Sequence, residues 1–152
     1  MGGAGLLKAG RDPLEVVVAV IRRKNLYLVA QRRAGDSFGG LWEFPGGKLH
    51  AGEALEEGLV REIQEELGIR IAVDAERMVL EHRYPERLIR LHCFDCRWVE
   101  GEPRAIECAA WRWVRVEELE GLKFPPASGP LIQVIAGRSN PGDCFGRSAP
   151  SQ

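Results

Sequence analysis

An α/β fold, with helices packed on a mixed β-sheet, is predicted by three features of this 152-residue sequence. Short apolar runs rich in valine and isoleucine recur along most of the chain, as strands require. One strongly helical segment, Ala54 to Leu67, interrupts them, and an apolar helical segment follows the last of them. Strands and helices alternate in mixed order, so they must layer on one another around a common core. At this length a single domain buries a real core without staples. The 45% hydrophobic and 28% charged content is ordinary for a globular chain.

The elements follow in order. Glu15 to Ile21 reads as a buried, valine-rich strand, Arg22-Arg23-Lys24-Asn25 as a turn, and LYLVAQR as a second strand. RAGDSFGG is glycine-rich and irregular, and the short segment LWEF precedes Pro45. Ala54 to Leu67 has helical composition, and Gly68 stands where a helix stop belongs. Ile69 to Tyr84 carries broken strand-like patches, whereas Leu88 to Val99 is a clear strand. EGEPRAIE is a loop, WRWVRV a strand and EELEGL a helical turn, and FPPASGPLIQVIAG joins a Pro-bounded loop to an apolar helix. No periodicity survives beyond Arg138. The expected organisation is a flexible N-terminus over residues 1–13, one domain over 14–137 and a disordered tail over 138–152.

Several functions are disfavoured. With 21 basic and 22 acidic residues, a net charge of −1 argues against a sequence-blind grip on polymeric nucleic acid but leaves a small anionic ligand open. The longest apolar run, Val16 to Ile21, is too short to span a membrane. MGGAGLLKAGRDP has neither the apolar core of a signal peptide nor Ser or Thr at position 6 for myristoylation, so a cytoplasmic protein is expected. Cys93 and Cys96 form a C-x-x-C beside His92, yet the surrounding LIRLHCFDCRWV alternates like a strand. Residues three apart on a strand face opposite ways, so these read as thiols rather than zinc ligands.

The acidic helix is the informative stretch. Five glutamates lie between Glu56 and Glu66. At about 100° per residue, with Glu62 at zero, Glu66 falls near about +40° and Glu65 near about −60°, so three carboxylates share one stripe. Leu59, Ile63, Leu67 and Val60 occupy the adjacent, core-facing arc; Glu56 falls within that arc, and Glu57 points away from the stripe. Like charges four apart cost roughly 0.2–0.5 kcal/mol per pair, and Gly58 on the same stripe costs about 1 kcal/mol relative to alanine. A face that gives up stability twice is either a solvated surface or a site holding a hard cation.

The full spacing favours the second. Gly47, Glu53 six positions on, and the run Arg61-Glu62-Ile63-x-Glu65-Glu66-x-Gly68-Ile69 match the Nudix hydrolase signature at nine positions over 23 residues. The chain therefore resembles that family, and AQRR, LWEFPGGK, RLIRLHCF, EGEP and FPPASGPLI resemble its MutT-like subgroup across roughly Val16 to Ile135. The resemblance implies an α/β/α sandwich with a loop–helix–loop catalytic motif, and Mg²⁺- or Mn²⁺-dependent hydrolysis of a nucleoside triphosphate to a monophosphate and pyrophosphate. It implies that the Gly47 carbonyl, Glu62, Glu65, Glu66 and Glu107 hold the metal and that Arg61 orients the glutamates. It further implies that Arg33, favoured over Arg32, grips the triphosphate, with Lys48 adding positive charge. Phe44, Arg87 and Ser128 would cradle the base, and Trp42 and Phe124 read as core or pocket-wall aromatics. Either Glu62 or Glu107 would assist proton removal.

Substrate identity stays open between an oxidised nucleotide such as 8-oxo-dGTP and a CTP or modified-dCTP substrate. Where the oxidised-guanine enzymes carry asparagine after FPPA, this chain has Ser128, whose hydroxyl discriminates less at a purine edge. A non-catalytic nucleotide sensor or glycosylase accessory domain is the rival from another class. The resemblance fits a monomer or a homodimer.

Overall fold

The computed structural model describes residues 13–137. Apart from Pro13, the two terminal segments expected to be flexible lie outside those residues, as does Cys144.

One sheet organises the molecule. Its strands are β1 (Leu14–Arg23), β2 (Leu26–Gln31), β3 (Trp42–Glu43), β4 (Gly46–Lys48), β5 (Arg70–Tyr84), β6 (Arg87–Glu100) and β7 (Ala110–Arg115). The main order is β3-β2-β1-β6-β5, with β4 pairing β1 and β7 pairing β2. β1 and β6 run parallel, with Val16 opposite Leu91 and Val18 opposite Cys93, whereas the other pairings are antiparallel, so the sheet is mixed. Lys24 turns the β1–β2 hairpin at φ 56°.

β1 is covered on both faces, which is why its sequence is continuously apolar rather than alternating. Val17, Ala19 and Ile21 face the helix α1 (Leu55–Leu67), packing with Leu59, Ile63 and Leu67. Val18 and Val20 face the other way, toward Leu131 and Ile132 of the short helix α2 (Gly129–Ile135). Helices thus lie on both faces. Cys93 falls in the α2-side core and Cys96 in the α1-side core, the opposite faces that strand alternation requires. Burial pushes both thiols up to about 12.

The broken patches over 69–84 are one long strand. Register shifts at Asp74 and Arg77 insert extra residues against β6, a third near Arg70 adds one on β6 itself, and the two in β5 reset its in–out alternation, which hides the period from the sequence. α1 begins at Ala54, which has no capping side chain; Glu57 reaches back to the Ala54 N–H at 3.4 Å instead. It ends at Gly68, in the left-handed conformation at φ 72°, whose N–H donates to the Gln64 carbonyl. EELEGL forms most of a 3-10 turn, Val116–Gly121, with its last residue, Leu122, as the cap. Among the described residues no helix is long and apolar enough to cross a membrane.

Candidate active site

The acid stripe of α1 meets the glycine turn of β4, and the two are fitted to each other. Gly46 and Gly47 pair with Val18 and Val17 of β1. A Cβ on Gly46 would overlap the Val17 carbonyl, and one on Gly47 would overlap the Glu62 carboxylate. Gly46 therefore requires glycine on grounds of space, because backbone stands in the way, whereas a side chain at Gly47 would displace the Glu62 carboxylate from its place in the stripe. Gly58 has a comparable reason: a Cβ there would stand 2.5 Å from Leu49 Cδ2 and 3.0 Å from Glu53 Oε1. The mid-helix glycine admits the preceding loop against the helix.

Arg61 ties these parts together. Its guanidinium binds both carboxylate oxygens of Glu53 and donates to Glu65 at 2.9 Å, Glu62 at 3.3 Å and the Lys48 carbonyl at 3.3 Å. Glu53 also accepts from the His50 N–H at 2.9 Å. The Arg61 guanidinium, with that backbone donor, holds the Glu53 carboxyl down to about 2. Glu53 therefore shapes the loop, while Glu62 and Glu65 share a cation with it.

The three stripe carboxylates differ sharply in environment. Glu65 is exposed, Glu62 is half-buried, and Glu66 is 5% exposed. This order follows their angles, since Glu66 lies nearest the apolar arc. Glu66 Oε1 accepts only a 3.3 Å bond from the Gly46 N–H. Desolvation drives its carboxyl up to about 8, the nearby charge on Glu43 adds to this, and Glu62 and Glu107 add less. Desolvation likewise raises Glu62, against the pull of Arg61. Glu107 sits on the loop crossing the end of α1, where its N–H donates to the Glu66 carbonyl at 3.2 Å.

Among the described residues no three His, Cys, Asp or Glu side chains converge on one point as a finished cation cage; Glu65 leans to Arg61 instead. The donor chemistry nevertheless fits a hard divalent ion. The groups are all oxygens, Glu43, Glu62 and Glu107 repel the buried Glu66, and that repulsion is what a bound cation relieves.

Beside the glycine turn opens a cavity of about 770 Å³, within the range of small-molecule sites. It exists because α2 has 7 residues, too short to cover the whole sheet face. Val16, Val18, Ile89 and Leu91 form its floor. Phe44, Gly47, Lys48, Arg87 and Ser128 all line it, so the structure gathers these sequence-selected residues in one place. Phe44 is 4% exposed and packs on Phe124 at 5.3 Å, while Trp42 packs at the edge of the same core.

The two arginines after β2 part company. Arg32 lines the cavity, bonded to Glu43 at 2.8 Å and to the Ser37 carbonyl. Arg33 reaches the Ile106 carbonyl at 2.7 Å, next to Glu107. The residue favoured from sequence thus braces the acidic loop, and its neighbour faces the cavity. Glu43 escaped sequence reasoning. Burial raises its carboxyl despite Arg32, and the available signal was a lone carboxylate inside the apolar segment LWEF.

A second cavity of about 450 Å³ includes Arg22, Lys24, Asp74 and Arg97. Arg97–Asp74 and Arg77–Asp95 pair within its wall, and neither the glycine turn nor the acid stripe contributes to it.

Comparison with known proteins agrees with this geometry. The NUDIX domain family profile matches residues 16–134. An 8-oxo-dGTP diphosphatase from Escherichia coli K12 is 38% identical over 120 residues, covering 78% of this chain and 93% of that protein. A CTP pyrophosphohydrolase from the same strain is 38% identical over 122 residues, covering 80% and 90% respectively. The solution structure of the E. coli ORF135 protein superposes with a TM-score of 0.74 at 32% identity, covering 98% of this chain and 100% of that one. The profile match spans the glycine turn, the acid stripe and the cavity alike, and the chain belongs to the Nudix family, among its MutT-like hydrolases.

Proposed function

We propose that this protein hydrolyses nucleoside triphosphates to a nucleoside monophosphate and pyrophosphate, acting in the cytoplasm on oxidised nucleotides such as 8-oxo-dGTP. The observation that carries this reading is the dry, cation-seeking Glu66 against the Gly46–Gly47 turn, with a nucleotide-sized cavity opening beside it. The Gly47 carbonyl, Glu62, Glu65, Glu66 and Glu107 would hold Mg²⁺ or Mn²⁺. The ion supplies charge neutralisation on the phosphate oxygens and a lowered pKa for water.

The chain's own residues do the rest. Lys48 and Arg32 present positive charge to the phosphates from the cavity wall. Arg33 keeps the Glu107 loop against α1 through the Ile106 carbonyl, and Arg61 keeps Glu62 and Glu65 aimed along one stripe. Glu62 has a raised carboxyl suited to accepting the proton of an attacking water, with Glu107 as the other candidate base. By the MutT analogy the attack falls on the β-phosphorus.

Ser128 favours a second reading, a CTP or modified-dCTP pyrophosphohydrolase. A single hydroxyl in the cavity wall does not offer the paired donor and acceptor that a purine edge asks for. The relatives named above divide in the same way at equal identity. The test is a panel of canonical and oxidised nucleotides with Mg²⁺, scored by kcat/KM and product identity. Glu65→Gln and Glu66→Gln should each lower the rate at least about a hundredfold. Full activity in either variant would remove that glutamate from the site, and no turnover of any nucleotide would refute the proposal.

A further inference from the structure

Phe38 is out of place by ordinary rules. It is 42% exposed, and it adopts φ 57°, a left-handed conformation that bulky L-residues avoid. An exposed aromatic ring held at a strained backbone position is the kind of local cost that persists where it is used.

The ring's position gives the use. Phe38 sits on the connection between β2 and β3, on the side of β2 that faces β1, since β7 holds the other side. Tyr84 sits at the turn of the long β5–β6 hairpin, far along the chain and beyond β1 in the sheet. The two rings nevertheless meet, 5.4 Å apart and tilted by 50°, and Tyr84 is in turn backed by His82 at 4.4 Å. Both line the cavity of about 770 Å³, together with Ser37 and the turn residues Pro85, Glu86 and Arg87. The contact therefore bridges the cavity between its two flanks. The floor, by contrast, is aliphatic.

We propose that Phe38 and Tyr84 form the outer wall of the base subsite: the nucleobase stacks against this aromatic pair, which closes over it from the solvent side. This rests on the nucleotide-hydrolase reading above and adds two specificity-determining residues to it. Among the charged groups of the lining, Lys48 adjoins the Gly46–Gly47 turn and Arg32 pairs with Glu43, while Glu86 and Arg87 sit on the Tyr84 turn, so the cations nearest the acid stripe's glycine turn are Lys48 and Arg32. A nucleotide with its phosphates there has its flat, apolar portion left for the remainder of the cavity, where these rings are the exposed π-faces. Arg32 links the two regions, because its guanidinium donates to the carbonyl of Ser37, one residue before Phe38.

The test uses the full chain with Mg²⁺ and compares Phe38→Gly, Phe38→Trp and Tyr84→Leu with wild type. Glycine suits the left-handed backbone, so Phe38→Gly should melt no lower than wild type and reports ring loss alone. Loss of stacking should raise KM for the nucleoside triphosphate about five- to a hundredfold, with a smaller effect on kcat. It should weaken inhibition by the nucleoside monophosphate product to a similar degree. Inhibition by pyrophosphate, which has no base, should stay within about twofold, and Phe38→Trp should keep KM near wild type. An active wild type whose KM is unchanged in both Phe38→Gly and Tyr84→Leu, or an equal loss of pyrophosphate inhibition, overturns the base-wall assignment alone. A wild type inactive on every nucleotide overturns the underlying function and this assignment with it.

Discussion

Without divalent metal, the folded protein should become less stable as pH rises from about 5 to 8, and Glu66 should be the main cause. In the unfolded chain this carboxyl titrates at its ordinary 4.5, whereas burial moves it to about 8 in the folded state. Between those values the folded state binds more protons than the unfolded one, so unfolding is favoured by raising the pH. The stabilising contribution is complete below pH 4.5 and gone above about 8. A displacement from 4.5 to about 8 at about 1.36 kcal/mol per unit sets a ceiling of roughly 5 kcal/mol. Glu66 is 5% exposed, so solvent screening removes little of this; relaxation of the neighbouring carboxylates brings the expectation to about 2–4 kcal/mol. Such a loss is large against the roughly 5–15 kcal/mol of a typical domain. Urea unfolding in EDTA across this range measures it directly, with Glu66→Gln as the reference whose stability should fall less steeply. Saturating Mg²⁺ should flatten the wild-type curve, because a bound cation favours the ionised carboxylate. Because Glu43 and Glu62 are also raised, the variant keeps a shallower slope of its own, and parallel wild-type and Glu66→Gln curves from pH 5 to 8 would refute the reasoning.

Three further outcomes follow from particular contacts. Gly46→Ala would drive a methyl into the backbone carbonyl of the fully buried Val17, so thermal melts should show a loss of about 2–3 kcal/mol or more; a change under about 0.5 kcal/mol would show that the turn yields freely. Glu53 has a depressed folded pKa of about 2, so its contribution is present above pH 4.5 and lost as the pH falls toward 2. The melting temperatures of wild type and Glu53→Gln should therefore converge over that acid range, and a constant gap would count against the Arg61–Glu53 pair as its source. Trp113 buries an indole Nε1 with no partner among the described residues. Trp113→Phe should then change stability by no more than about 1 kcal/mol, the freed donor offsetting lost packing, and a loss above about 2 kcal/mol in chemical denaturation would contradict that balance.

Much of the fold was legible because its periods are clean. β1 reads as a doubly covered strand, α1 as an amphipathic helix stopped by Gly68, and β6 as a strand whose alternation separates Cys93 from Cys96. β5 was obscured because register shifts break the two-residue period on which recognition depends. The angular order of Glu66, Glu62 and Glu65 around α1 already ranked their burial, although only the packed sheet turned rank into environment. Glu43 was missed since a half-buried carboxylate in a two-residue strand carries no repeating pattern at all.

The sequence alone determined the family, the acid stripe and the glycine turn, because these depend on spacing within 23 residues, where helix geometry dictates which groups share a face. It also singled out Arg32 and Arg33 at the end of the second strand. Which of them meets the cavity, what packs against Gly58, and that Phe38 reaches Tyr84 were decided by the tertiary structure. Local periodicity states which side chains lie together on one element. What stands opposite that face is set by contacts between segments far apart in the chain, and in this protein those contacts determine which carboxylate is dry and what closes over the cavity.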